Sequence, residues 1–518
     1  MPPHPVNISQ QQKQQYCNIY QDQFIPTKQH CLRVKQLLRA LHPDHEHDST
    51  SLIYMKGKTG ETRDSTDVDL EFRQESNFFY LTGVDEPDFQ LIFHLQNERV
   101  YLVAPTVPEN EVLWKGPNFQ PADLLVQYDV DEIIPEQNFS QLIYTLDPKR
   151  IYVLDEQQQI ALSQSISTLP GSALMKIDTQ SLLPALHESR LIKFPWEIEL
   201  LRHAMHGSSQ AHIMLIQQFQ PGMTEAHLTA LFRWSCACLG IFRQAYLPIV
   251  ASGARNAILH YNSAKNQRQR VPVHDLHALV LVDAGGERAC YSSDITRTFP
   301  AQGRFSEEAK TIYNIVLKMQ KTILSRLRPG VFWADMEDLA IQILCKELVR
   351  IGILVGDNID ELIQRGLPTA FFYHGLGHSV GLDVHDVGGR KPYITTNTVN
   401  KAATVVNNCN HIEPNKKEED ELSAFLEDRP LEKNMVLTVE PGLYFNDTLL
   451  DIWTQFPGYQ SYFNLNALAK YRKVGGVRIE DTIVITDSGY ENLTSVPKEI
   501  DEIESLMKQN DSILAVDS

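Results

Sequence analysis

A chain of 518 residues is too long for one ordinary hydrophobic core; at roughly 150 residues per domain two to four units are expected, and because large single cores exist two is the working number. Hydrophobic residues at 42% and charged residues at 22% describe a soluble globular protein. Lys and Arg total 47 against 65 Asp and Glu, and the net charge of −18 repels phosphate backbones and anionic lipid, so neither nucleic acid nor membrane is expected as a partner.

The amino-terminal stretch MPPHPVNISQQQKQQYCNIY has no apolar core of a secretory signal and no Arg-rich amphipathic pattern. No run approaches the roughly 20 apolar residues of a membrane span. Seven cysteines are scattered at 17, 31, 236, 238, 290, 345 and 409. The close pair Cys236 and Cys238 lies in the helix-like LTALFRWSCACLG, where buried free thiols fit better than a metal pair. A cytoplasmic, reduced protein is expected.

Residues 1–50 read as a partly ordered extension, although CLRVKQLLRALHP carries a helical apolar spacing. From 51 to 188 the runs SLIYMKG, FFYLTG, FQLIFHL, ERVYLVAP and RIYVLD predict strands alternating with helices, a mixed sheet with covering helices. The domain break is expected between Leu183 and Lys193, followed by a long helix with Pro195 near its start. A second unit, 189–500, then alternates helices (TEAHLTALFRWSCACLG, SEEAKTIYNIVLKMQKTILSRL, WADMEDLAIQILCKELVRIG) with strands (HALVLVDAG, NMVLTVEPGLYF, GGVRIEDTIVIT). Together these define an α/β (α+β) protein. A polar insertion at 393–427 and a tail at 501–518 complete the chain.

Three of the strand-like segments carry acids. Asp283 follows the apolar run ALVLV, and Asp294 lies beyond it in GGERACYSSDITRTF; Glu440 sits in VLTVEPGLYF, and Glu480 and Asp481 in GGVRIEDTIVIT. Each could simply face water at a strand end. A carboxylate ending a doubly buried strand is nevertheless costly unless it is paired or binds a cation. A hairpin reversing between Arg288 and Ala289 would set Asp283 opposite Asp294, with Cβ atoms about 4.5–5.5 Å apart. Gly285-Gly286 is the stronger turn signal, and a turn there would not pair them. Adjacent carboxylates raise each other's pKa, whereas divalent cations reverse that preference, and Asp283, Asp294, Glu440 and Glu480 carry the charge for two such ions.

An imidazole would complete such a set, and HGLGHSVGLDVHD (His374 to Asp386) supplies three histidines. His374 and His378 stand at i, i+4 as in zincin helices, but Gly375, Gly377 and Gly381 disfavour a helix and no Glu follows His374. A hydrogen-bonded loop cluster is the other reading, and spacing does not choose.

The motifs YHGLGHSVGLDVHDVGG, VLVDAGG…SSDITRTFP, MVLTVEPGLYF and GVRIEDTIVIT resemble the pita-bread metallopeptidases, in the proline-directed branch of Xaa-Pro aminopeptidase and prolidase. The likeness covers about Pro195 to Thr486 and extends weakly through DLEFRQESNFFYLTGVDEP. It implies a C-terminal pita-bread domain behind a smaller mixed α/β N-terminal domain. It also implies metal ligands Asp283, Asp294, His378, Glu440 and Glu480, holding two Mn²⁺ with Co²⁺ or Mg²⁺ as substitutes. Glu440 would be the proton carrier; His374 and His385 would stabilise charge on the substrate; His260 would contact substrate; and Arg478 would stand beside the last ligand. The substrates implied are proline-containing peptides, and a homodimer is expected. Trp114 matches a tryptophan that in the family reaches toward a neighbouring subunit's active site, a core position being the alternative. Prolidases carry a carboxylate-gripping arginine where this chain has Leu426, a departure that favours the aminopeptidase over the dipeptidase. Metal-free binding relatives lose ligands that are all present here.

Overall fold

A computed structural model describes residues 25–43, 50–261, 269–388 and 429–514, side chains being described as far as 508. Leu426 and the rest of the 393–427 insertion lie outside the described residues. The chain forms two compact units, parted between Leu191 and Ile192.

The first unit is built on a mixed sheet of six strands: β1 (Ser51–Lys56), β2 (Gln90–His94), β3 (Arg99–Ala104), β4 (Glu132–Pro135), β5 (Arg150–Tyr152) and β6 (Lys176–Asp178), in the order β4-β3-β2-β1-β5-β6. β1, β2 and β3 pair antiparallel, and the outer strands join parallel. Leu52, Tyr54, Ile92, Tyr101 and Val103 bury one face of the sheet against Phe139, Ile143, Leu162 and Ile166. The spacing in CLRVKQLLRALHP is realised as helix α1 (Lys28–Leu41), with His30, Cys31, Val34, Lys35 and Leu38 buried.

FFYLTG, expected as a strand, is instead the body of helix α2 (Ser76–Thr82). The carboxylate of Glu75 accepts the amide hydrogens of Asn77 and Phe78 at 3.0 and 2.7 Å, satisfying two donors that the first turn would otherwise orphan. That cap outweighs the strand preference of Phe and Tyr. Trp114 lies on the short helix α3 (Val112–Lys115) and is 84% exposed, so the core reading of it is wrong.

In the second unit, Pro195 opens helix α4 (Pro195–Gln218) at its first position, where its missing N–H costs nothing. Helices α5 (Glu225–Cys238), α6 (Glu307–Leu324) and α7 (Trp333–Arg350) follow where the periodicity placed them. Cys236 is buried, Cys238 is half-buried, and both are free; two residues apart on α5 they point to different sides. Among the described residues eleven strands join these helices: β7 (Arg243–Gln244), β8 (Ile249–Ser252), β9 (Leu279–Asp283), β10 (Gly286–Arg288), β11 (Tyr291–Ser292), β12 (Thr296–Pro300), β13 (Val436–Val439), β14 (Gly442–Tyr444), β15 (Gly476–Arg478), β16 (Asp481–Ile485) and β17 (Tyr490–Asn492). They form small antiparallel sheets, β11-β10-β7, β12-β9-β8, β13-β16-β17 and β14-β15.

Two long hairpin-like pairs run through these sheets. In the first, β9 and β10 return as β11 and β12 in a single register, with Asp283 opposite Thr296 and Arg288 opposite Tyr291. The reversal therefore falls at Ala289 and Cys290, one residue later than expected, and both take left-handed φ values of 47° and 60°. Two such residues in succession give the twist that suits a two-residue hairpin turn. Asp283 and Asp294 are consequently diagonal neighbours on one face and not direct partners. Gly285 serves close approach and not reversal: a Cβ there would lie 1.8 Å from the Ser293 carbonyl oxygen. In the second pair, the registers Val439↔Asp481 and Gly442↔Arg478 are continuous, and between them Glu440 faces Glu480.

Candidate metal centre

The middle of the histidine stretch, Leu376 to Val380, runs beside β13. Thr438 donates its backbone N–H to the His378 carbonyl at 2.8 Å, Glu440 to Leu376 at 2.8 Å, and Val380 to Val436 at 3.0 Å. No helix forms over residues 371–388, which removes the zincin reading. Without a helix, the chain still brings His374 and His378 to one side, both rings facing Glu440 at 3.8 and 3.4 Å. Gly377 permits this approach, since a Cβ would lie 2.2 Å from the Thr438 carbonyl oxygen.

Two hairpin faces and this stretch converge on one cluster. Ligand atoms of Asp283, Asp294 and Glu480 lie within 4.8 Å of one another, as do those of His378, Glu440 and Glu480 and those of Asp294, His378 and His385. All the residues expected to ligate metal are thus brought together. Burial pushes the carboxyls of Asp294, Glu440 and Glu480 well above the ordinary range, and neighbouring carboxylates push the same way. Opposing them are the Tyr246 hydroxyl on Asp294, the Thr296 hydroxyl on Glu480 and, as the one cation in contact among the described residues, Arg478, which bonds Asp283 Oδ2 at 2.6 Å. Four carboxyls against one guanidinium leave a buried excess of negative charge that divalent cations would neutralise. One imidazole among oxygens is a hard ligand set, suited to manganese or magnesium more than to structural zinc. The residues therefore fit two adjacent ions, with Glu480 common to two of the triads.

The imidazoles are prepared for their places. Burial pushes His378 down to about 4, so its ring is neutral. His378 Nδ1 lies 3.0 Å from the Ser379 carbonyl, which assigns the proton to Nδ1 and leaves Nε2 as a bare acceptor 3.3 Å from Asp294 and 3.4 Å from Glu440. His374 is likewise neutral, pushed down to about 3 by burial and then by Arg478. Its Nδ1 donates to the Gly375 carbonyl at 2.8 Å and its Nε2 accepts from the Tyr444 hydroxyl at 2.8 Å. A substrate contact by His374 would have to displace one of these. His385, open to solvent, sets its ring edge-on to His378 at 4.3 Å. His260 is also exposed, near enough for its charge to depress His374 and His385. Arg478 is buried, with further bonds to the Tyr444 hydroxyl at 2.9 Å and Thr296 Oγ1 at 3.1 Å.

Several contributors went unread in the sequence. The Tyr246 hydroxyl lies 2.5 Å from both Asp283 and Asp294, and Thr296 Oγ1 donates to Glu480 at 2.7 Å. Tyr444 joins His374 to Arg478, yet a hydroxyl in a strand carries no charge to mark it. Behind the stretch, Lys193 and Asp386 form an ion pair at 2.9 Å with both side chains 1% exposed.

A cluster of oxygens and one imidazole at the ends of antiparallel strand pairs defines a metal-dependent hydrolase. Residues 199–487 match the model of metallopeptidase family M24, and residues 30–152 match the aminopeptidase P N-terminal domain. The chain is 35% identical over 494 residues to a protein of Uncinocarpus reesii described as "Probable Xaa-Pro aminopeptidase PEPP", covering 93% of this chain and 95% of that one. Among solved structures, aminopeptidase PepP of Pseudomonas aeruginosa superposes with a TM-score of 0.73 at 30% identity, covering 94% of this chain and 99% of the other. Escherichia coli aminopeptidase P with the inhibitor Pro-Leu gives 0.72 at 30% identity, covering 95% and 100%. The chain belongs to metallopeptidase family M24, in its aminopeptidase P branch, with a pita-bread C-terminal domain.

Proposed function

We propose that the chain is a dinuclear, manganese-dependent Xaa-Pro aminopeptidase that releases the first residue from peptides with proline second. The observation that carries this reading is the pair of ligand triads sharing Glu480, in a chain whose relatives are described as Xaa-Pro aminopeptidases. Asp283, Asp294, His378, Glu440 and Glu480 would hold two Mn²⁺, with Co²⁺ or Mg²⁺ able to substitute. When bound, the ions would supply Lewis acidity, lowering the pKa of a water and polarising the scissile carbonyl.

The protein's own groups do the rest. Glu440 takes the proton of the attacking water and delivers it to the proline nitrogen as the C–N bond breaks. His378, kept neutral by burial and held in one tautomer by its bond to Ser379, offers Nε2. His385 and His260, both open, meet the peptide, while His374 holds the Tyr444 hydroxyl toward Arg478. An Xaa-Pro bond has no N–H and a fixed ring, so a site that activates the carbonyl without reading that N–H suits it. A homodimer is supported by the exposed Leu113, Trp114 and Val126, and sedimentation at twice the chain mass would test it.

The deciding assay compares Arg-Pro-Pro with Gly-Pro in the presence of Mn²⁺. Release of arginine from the tripeptide is expected, suppressed by a chelator. Cleavage of the dipeptide alone would return the reading to a prolidase. Retention of no metal and no stabilisation by Mn²⁺ would return it to a binding protein.

A further inference from the structure

His260 stands on a short stretch, Ile258 to His260, whose two ends are exposed and whose Leu259 is half-buried, held between two buried posts. At one end the Ala257 carbonyl accepts from the Tyr373 hydroxyl at 2.5 Å and from Asn446 Nδ2 at 3.2 Å. At the other end Tyr261 is buried and donates its hydroxyl to Glu225 Oε2 at 2.8 Å. Glu225 itself is 1% exposed and touches none of the five candidate ligands among its described bonds. Its other oxygen accepts from Ser252 Oγ at 2.7 Å and from Arg255 Nε and Nη2 at 3.0 and 2.8 Å. The returning chain closes on the same residue, where the Gln269 carbonyl accepts the Glu225 N–H at 3.0 Å. Glu225 is also the first residue of α5, where the helix dipole favours a carboxylate.

A buried carboxylate with both oxygens filled is costly to keep unless it fixes something. Its bonds reach Ser252 and Arg255 before the His260 stretch and Tyr261 directly after it. We infer that Glu225 is a positioning residue, which sets the place of His260 at the mouth of the site and so governs how peptide substrates bind. The inference rests on the reading of His260 as a substrate contact. It predicts an effect on KM and not on the bond-breaking step, because no bond of Glu225 enters the metal cluster.

The test measures kcat, KM and melting temperature on Arg-Pro-Pro for Glu225→Gln, Tyr261→Phe, His260→Ala and the double variant Tyr261→Phe/His260→Ala. Glu225→Gln weakens the Arg255 bond, and Tyr261→Phe removes one anchor while leaving the Arg255 pair intact, so at least one variant remains folded. Each should raise KM about three- to tenfold, the worth of one hydrogen bond, with kcat within about twofold of wild type. In the His260→Ala background the Tyr261→Phe penalty should vanish, since there is no imidazole left to place. Unchanged KM in both single variants, or a penalty that persists undiminished without His260, would overturn the inference. If His260→Ala itself left KM unchanged while arginine release continued, the assignment of His260 and this inference would fall together, and the aminopeptidase reading would stand.

Discussion

At the scale of single residues, the cluster concentrates like charge to a degree that the fold alone would not choose. Asp294 is buried, pushed up by burial and by Asp283, and lies in reach of His378 and Glu480. Asp294→Asn should abolish peptide cleavage and the thermal stabilisation by Mn²⁺, yet leave the metal-free protein at least as stable as wild type; differential scanning calorimetry with and without Mn²⁺ checks this. The opposite balance holds at Asp386, whose partner Lys193 is equally buried. Removing one partner strands the other charge, so Asp386→Ala should cost about 3–5 kcal/mol in urea unfolding. The acids were legible because a charge at the end of an apolar strand is an anomaly. Tyr246, Tyr444 and Thr296 were not, because a neutral hydroxyl in a strand is unremarkable until its partner is known.

At the scale of elements, turns and caps decided what composition could not. The reversal at Ala289-Cys290 has no glycine to announce it, whereas Gly285-Gly286 advertises a turn and instead lets two strands close together. The error in the centre was one residue, which moved the direct partner of Asp283 to Thr296 but kept Asp294 on the same face; parity protected the site. FFYLTG was misread because the deciding group, the Glu75 carboxylate, lies outside the run. Glu75→Ala should lower stability by about 1 kcal/mol in the same unfolding measurement. A second element-level test uses Asp178 at the end of β6. Burial tends to raise its carboxyl, but the N–H groups of Gln180 and Ser181, the Ser181 hydroxyl and Arg150 outweigh that and hold it below the usual range. A folded pKa below the unfolded one adds stability above the unfolded value and loses it as pH falls. The melting-temperature gap between wild type and Asp178→Asn should therefore be full at neutral pH and shrink below about pH 4.

At the scale of the whole molecule, the two units divide the work of being legible. The four long helices and the main strands of the second unit followed from periodicity, and its motifs carried the family; the helices Ile359–Gln364, Asp447–Gln455, Leu465–Arg472 and Ile500–Leu514 did not, the last forming where only a tail is expected. What no sequence spacing could supply was convergence: β9, β12, β13 and β16 are separated by up to two hundred residues, the registers bring the acids together within each hairpin, and the Glu480 N–H donating to the Thr296 carbonyl at 3.1 Å joins the two hairpins where Asp283, Asp294, Glu440 and Glu480 meet. The same convergence is what a dinuclear centre requires, and it is testable without any substrate. Isothermal titration of the metal-free protein with Mn²⁺ should give two equivalents bound per chain, with binding greatly weakened in Asp294→Asn. Titration to a single equivalent, or binding that survives Asp294→Asn unchanged, would contradict a two-metal site built from these residues.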